Sequence, residues 1–168
     1  LEYEYYREQF TLQENAMAKK RLLVFTALLL VCACLAFGQS NDQIDLILNQ
    51  ETASIGAAAY LAMSSAGLVE DGASFARAVS VAQDAGLLDA AAAADAPATF
   101  GQFAYMMMGA HEVSGGVMYL LLPGPRYAAR EFVYQDWTPV HRGPEDQIDG
   151  QFLIRVSGRF LESLEASL

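Results

Sequence analysis

Cysteine, lysine and histidine are scarce in this chain of 168 residues, and each scarcity narrows what it can do. Cys32 and Cys34 both lie in one apolar stretch, so residues 39–168 contain no cysteine and no disulfide framework is available to them. Their fold must rest on an apolar core. Lysine is equally absent beyond residue 38, where six arginines face sixteen carboxylates, a net charge of −10. Such a surface repels nucleic acid and anionic lipid headgroups; it suits solubility, a cationic partner or surface divalent cations. The two histidines, His111 and His141, have no His-x-x-x-His spacing or converging ligands around them. Ser80, Ser114 and Ser157 lack a Gly-x-Ser-x-Gly setting. No catalytic residue, metal or cofactor is predicted, and the expectation is a protein that is not an enzyme.

What is present begins with a leader. Met17-Ala-Lys-Lys-Arg21 is a basic segment, Leu22 to Leu35 is almost wholly apolar, and Ala36-Phe-Gly38 offers small residues at a cleavage site before Gln39. Residues 17–38 thus read as a bacterial secretory signal, cut between Gly38 and Gln39. Two alternatives stay open: an uncleaved anchor, short for a membrane span, or lipidation of Cys34 in Val31-Cys-Ala-Cys34. Residues 1–16 read as an extension upstream of the true start at Met17. The expected location is the periplasm or envelope of a bacterium, touching the membrane only through a retained anchor or lipid.

Residues 39–168 carry a repeating pattern. Ser54-Ile-Gly-Ala-Ala-Ala-Tyr60, Thr99-Phe-Gly-Gln-Phe-Ala-Tyr105 and Ile148-Asp-Gly-Gln-Phe-Leu-Ile154 align on Gly56, Gly101 and Gly150. Self-similarity at a near-constant interval marks a repeat architecture. A glycine in the first helical turn lets another backbone come close. Phe100, Phe103, Ala104, Met107 and His111 share one helical face, with Thr99 as N-cap and an end near Gly115-Gly116. Met107 is assigned to the core, Met106 and Met108 to the core or an interface between units.

Around this helix the pattern predicts others. A short one spans residues 41–49, the next begins at Glu51 or Thr52 and runs to Ala66, and a third covers Ala73 to Ala85, stopped by Gly86. Val117-Met-Tyr-Leu-Leu-Leu122 fits a short strand or a buried helical turn. A helix from Arg126 follows Pro123-Gly-Pro125 and pairs with the third helix at an interval of 52, Phe75 matching Tyr127. The last helix starts at Ile148, with Phe152, Val156, Phe160 and Leu164 along one stripe.

A helix ending in Phe75-Ala-Arg-Ala-Val-Ser-Val-Ala-Gln-Asp-Ala-Gly-Leu-Leu-Asp89, an acidic loop, and a second helix opening Thr99-Phe-Gly-Gln-Phe-Ala-Tyr105 resemble the S-layer homology unit. The resemblance spans roughly residues 51–166 as three diverged copies. It implies an all-α domain of three helix–loop–helix units packed pseudo-threefold on a shared core, with the signal helix outside it. It also implies attachment to cell-wall polymers. In that family the second helix opens with a Thr-Arg-Ala-Glu-like motif whose arginine meets the polymer; here the three positions hold Phe100, Ile55 and Asp149. The nearest basic pair is Arg126 and Arg130, one helical turn apart on a shared face and flanking Tyr127, able to hold a carboxylate or sugar acid. Tyr127, Tyr134 and Trp137 fit a sugar-facing surface or the shared core of two helices. The expected function is binding of cell-wall material or of an envelope protein, with no nucleic-acid partner. The alternative is an assembly subunit that docks on a periplasmic complex through apolar helix faces.

Overall fold

The reason α2, Ile55–Ser65, is a helix lies at both its ends. Ser54 is extended and its hydroxyl accepts from the Ala57 N–H, while Gly67 takes a left-handed φ of 71° and Leu68 N–H returns to Met63 O. Every residue from Ile55 to Met63 is buried, so this helix has no polar face and lies inside the domain. Its four alanines, Ala57, Ala58, Ala59 and Ala62, let neighbours pack close, and α2 contacts the helices Phe75–Asp84, Phe100–Ala110 and Gly150–Glu165.

The structure is a computed structural model and describes residues 42–166. The readings on residues 1–16 and 17–38, the Gly38–Gln39 cut and Cys34 lie outside these. Residues 42–48 are helical (α1), followed by α2, α3 (Phe75–Asp84), α4 (Phe100–Ala110), α5 (Val117–Leu121), α6 (Pro125–Tyr134) and α7 (Gly150–Glu165). The described residues are all-α; the extended pairings among them are the isolated bridges Ser54–Pro97 and Thr99–Gln147.

Backbone bonds beside those bridges tie three helix starts together. Ala53 N–H donates to Ile148 O at 2.7 Å, and Ala98 N–H donates to Ala53 O at 2.8 Å. Ala53, Ala98 and Ile148 are buried and each immediately precedes an N-cap: Ser54, Thr99 and Asp149. The glycines that follow have matching surroundings. Gly56 N–H donates to Ala94 O, Gly101 N–H to Pro144 O and Gly150 N–H to Gln50 O, at 2.8 to 2.9 Å. A Cβ on Gly56 would meet Ala94 O and Phe75, the first residue of α3; one on Gly101 would meet Pro144 O and Pro125, the first residue of α6. One on Gly150 would collide with the Ile47 carbonyl at the end of α1. Each glycine is the gap through which a neighbouring backbone reaches a free N–H of a helix's first turn.

Several boundaries differ from expectation. The last helix starts at Gly150, because Asp149 rather than Ile148 caps it, accepting from Phe152 N–H at 2.7 Å. Likewise α2 starts at Ile55, not at Glu51 or Thr52. The α3–α6 equivalence is 50 residues, not 52. Both helices have ten residues, and both end in the same bond, Leu87 N–H to Ala82 O and Trp137 N–H to Phe132 O. Phe75 therefore matches Pro125. α4 ends at Ala110, short of Gly115-Gly116, because Glu112 supplies the left-handed residue (φ 54°) and Val113 N–H closes on Met108 O. Residues 117–121 are helical, but of these only Tyr119 is buried.

The core is aromatic where α4, α6 and α7 converge. Phe132 and Phe160 stack with centroids 5.3 Å apart, and Trp137 meets both edge-on at 5.1 and 4.9 Å. Phe100 bridges Phe132 and Phe152, edge-on at 6.0 and 5.7 Å. Such offset and edge contacts add to the area buried. Met106, Met107 and Met108 are all fully buried, so the three methionines belong to the core.

Candidate functional site

The basic pair sits on α6. Gly124 leads into it and Pro125 occupies its first turn, where a missing N–H is harmless. Ala128, Ala129 and Phe132 turn inward; Arg126 and Arg130 stand on the exposed side. Tyr127 is half-buried, Tyr134 is 83% exposed, and Trp137 packs inward on Phe132.

A cleft of about 690 Å³ opens beside this helix. One wall is α6, with Tyr127, Arg130, Val133 and Tyr134; a second is the start of α5, Val117 and Met118; the third is the loop His141-Arg142-Gly143-Pro144. Tyr127 and Arg130 of the expected contact residues line it, and Arg126 does not. The loop contributes Arg142 and His141, to which the sequence alone assigns no role. No local signal marks them, since what brings them to α6 is a non-local tie: Gly101 N–H to Pro144 O and Phe100 N–H to Asp146 O.

That loop is well held. Asp146 Oδ2 accepts from Gly143 N–H at 2.7 Å, and the Arg142 guanidinium lies over the Phe152 ring, 5.2 Å from its centroid. Arg142 Nε is buried without a hydrogen-bond partner. Among the described residues no carboxylate lies within ion-pair distance of Arg130 or Arg142. Glu131 lies towards the other end, near Gly116 and Tyr119. Burial foremost, then Tyr105 and Glu131, pushes the Tyr119 hydroxyl up to about 12. The cleft thus combines Arg130, Arg142 and His141 with apolar surface from Val117, Met118 and Val133.

His111 caps the C-terminus of α4, with Nε2 3.0 Å from Ser65 Oγ and its ring edge-on to Phe160 at 5.4 Å. Burial lowers its pKa. It is far along the chain from His141, which lies in the cleft wall, and among the described residues no three His, Cys, Asp or Glu side chains group to hold a metal. No described helix is long and apolar enough to cross a membrane.

α5, whose start lines the cleft, is largely exposed. Val117, Leu120 and Leu121 are 74%, 70% and 68% exposed, and Met118 and Leu122 are exposed too. Consecutive large apolar side chains in water mark an interaction surface. No known family's model, curated protein or solved structure matches this chain.

Proposed function

We propose that residues 39–168 form an S-layer-homology-like domain of three helical units related by pseudo-threefold symmetry, which acts without catalysis by binding envelope material. The threefold reading is supported by the matching neighbourhoods of Gly56, Gly101 and Gly150 and by the ties linking Ala53, Ala98 and Ile148. In this reading the units pair α1 with α2, α3 with α4, and α6 with α7, with α5 inserted before the third. The protein is exported by its leader and works in the periplasm or on the envelope of a bacterium.

The single observation behind the binding role is the cleft in which Arg130 and Arg142 have no carboxylate partner among the described residues. A cation left unpaired beside a half-apolar hollow favours an acidic ligand. Tyr127 and Arg130 contact it, with Arg126 extending the basic face along α6. Co-sedimentation with purified peptidoglycan carrying its attached polymers tests this: the protein should pellet, and Arg126→Ala with Arg130→Ala should release it. Retention of the double variant in the pellet would refute the assignment.

A second reading draws on the exposed α5 turn. Here the protein is an assembly subunit whose apolar face docks on a larger envelope complex. It predicts co-purification with a defined protein from envelope extract, lost on Leu120→Ser with Leu121→Ser, and indifference to wall material.

A further inference from the structure

We infer that the cleft beside α6 takes an acid group carried on an apolar chain, a carboxylate or phosphate at the head of an alkyl or acyl body, in preference to a hydrophilic sugar acid. This rests on the reading of the cleft as a binding site, and it puts an amphiphilic acid in place of wall polymer as that site's ligand. Three features of the cleft argue for it.

Two guanidinium groups line the cleft. Arg142 is anchored over Phe152, and among the described residues no carboxylate lies within ion-pair distance of Arg142 or Arg130. His141 lies in the same loop and adds a further donor. Glu131 is the acidic residue of the lining, and its neighbours Gly116 and Tyr119 put it at the α5 end. Arg142 and His141 favour an anionic head beside the loop, where the Asp146 carboxylate is occupied by the Gly143 N–H, and Glu131 disfavours one at the α5 end.

The remaining lining is apolar. Val117, Met118, Ala129 and Val133 present aliphatic surface, and Tyr127 and Tyr134 add ring faces. A polyhydroxylated ring against Val117, Met118, Ala129 and Val133 would lose water from its hydroxyls with no partner on those side chains to replace it. An alkyl body loses nothing polar and covers surface now facing water. The apolar character also continues beyond the cleft, through Leu120, Leu121 and Leu122 of the same short segment.

Calorimetric titration of the full chain tests this with decanoate and decyl phosphate kept below their micelle concentrations. Decanol, acetate and glucuronate serve as controls. Decanoate should bind saturably, one per chain, and at least about tenfold more tightly than acetate or glucuronate, which lack the apolar body. Arg130→Gln should weaken decanoate by about tenfold, the loss of one charge-assisted contact, and leave decanol unchanged. Arg130 is exposed, so the variant should melt like the parent; Val117→Ser provides a second, independent weakening at the other end. Vesicles of phosphatidylcholine with and without phosphatidylglycerol identify the source. The net charge of −10 opposes approach to an anionic membrane, so saturable decanoate binding without vesicle binding is expected and assigns a free acid; binding to the anionic vesicles, displaced by decanoate, assigns a lipid headgroup instead. Decanoate bound no better than decanol, or unaffected by both substitutions, overturns the inference. If glucuronate or wall polymer binds in an Arg130-dependent way while decanoate does not, the ligand class is wrong and the cleft still binds. If none of them binds, the cleft reading falls as well.

Discussion

Replacing Gly101 by alanine should destabilise this protein, although alanine is the better helix former. Gly101 is the second residue of α4, where the exchange on an isolated helix would gain about 1 kcal/mol. Here the new Cβ would lie 2.8 Å from Pro144 O and 2.9 Å from Pro125 O. Both are main-chain atoms, so no side chain can swing aside. Overpacking of this kind costs about 1–3 kcal/mol. Moving the loop away also strains the 2.8 Å bond from Gly101 N–H to Pro144 O, worth about 1 kcal/mol. The opposing terms leave a net loss of about 1–3 kcal/mol. Gly158 is the internal control. It lies within α7, and a Cβ added there would meet nothing within 4 Å, so Gly158→Ala should gain about 0.5–1 kcal/mol. Urea unfolding followed by circular dichroism reads both through the midpoint at constant slope. Should Gly101→Ala unfold at the same or a higher urea concentration than the parent, the close-approach argument is wrong for all three glycines.

Other substitutions test separate parts of the account. Glu112→Gly should stabilise by about 0.5–1 kcal/mol, because Glu112 holds a left-handed φ of 54° that glycine adopts freely; thermal melting would show a rise, and a fall would refute the strain. Thr99→Ala should cost about 1 kcal/mol in urea unfolding, since Thr99 and Gln102 form a reciprocal capping box. The lowered pKa of His111 means the unfolded chain binds a proton more readily than the folded one. Stability should thus be full above the ordinary value of 6.5 and decline as pH falls below it, until the folded state also protonates. His111→Gln should flatten that part of the curve. For Tyr119 the sign reverses at the alkaline end: its contribution is present below pH 10.0 and is lost as pH rises towards about 12, and Tyr119→Phe should remove that loss.

The spacing of Gly56, Gly101 and Gly150 is legible because close backbone approach demands glycine, and side-chain identity reports that demand directly. Thr99 is legible as a cap for a similar reason. The end of α4 is not, because its left-handed position is filled by Glu112, a residue with no particular preference for it. The α3–α6 offset reads two residues too long from sequence because Gln83-Asp84 and Gln135-Asp136 match at an interval of 52 and outweigh the helix starts at Phe75 and Pro125. Val117 to Leu122 looks like core in composition, yet composition cannot tell a buried apolar run from one reserved for a partner. Arg130 can be singled out from its helix. Arg142 cannot, since only the fold sets residues 141–144 against α6.

The burial of α2 has a consequence for biosynthesis. Most of its covering comes from α3 and α4, but α7 packs on it as well, and Ala53 obtains its acceptor only when Ile148 arrives. A nascent chain ending after α4 would therefore leave α2 open on the side that α7 fills, and contacts so distant along the chain close slowly. The last side of such a core closes only once α7 has been made. A chaperone's grip up to that moment, or threading through a narrow translocation channel, would find it still pliable.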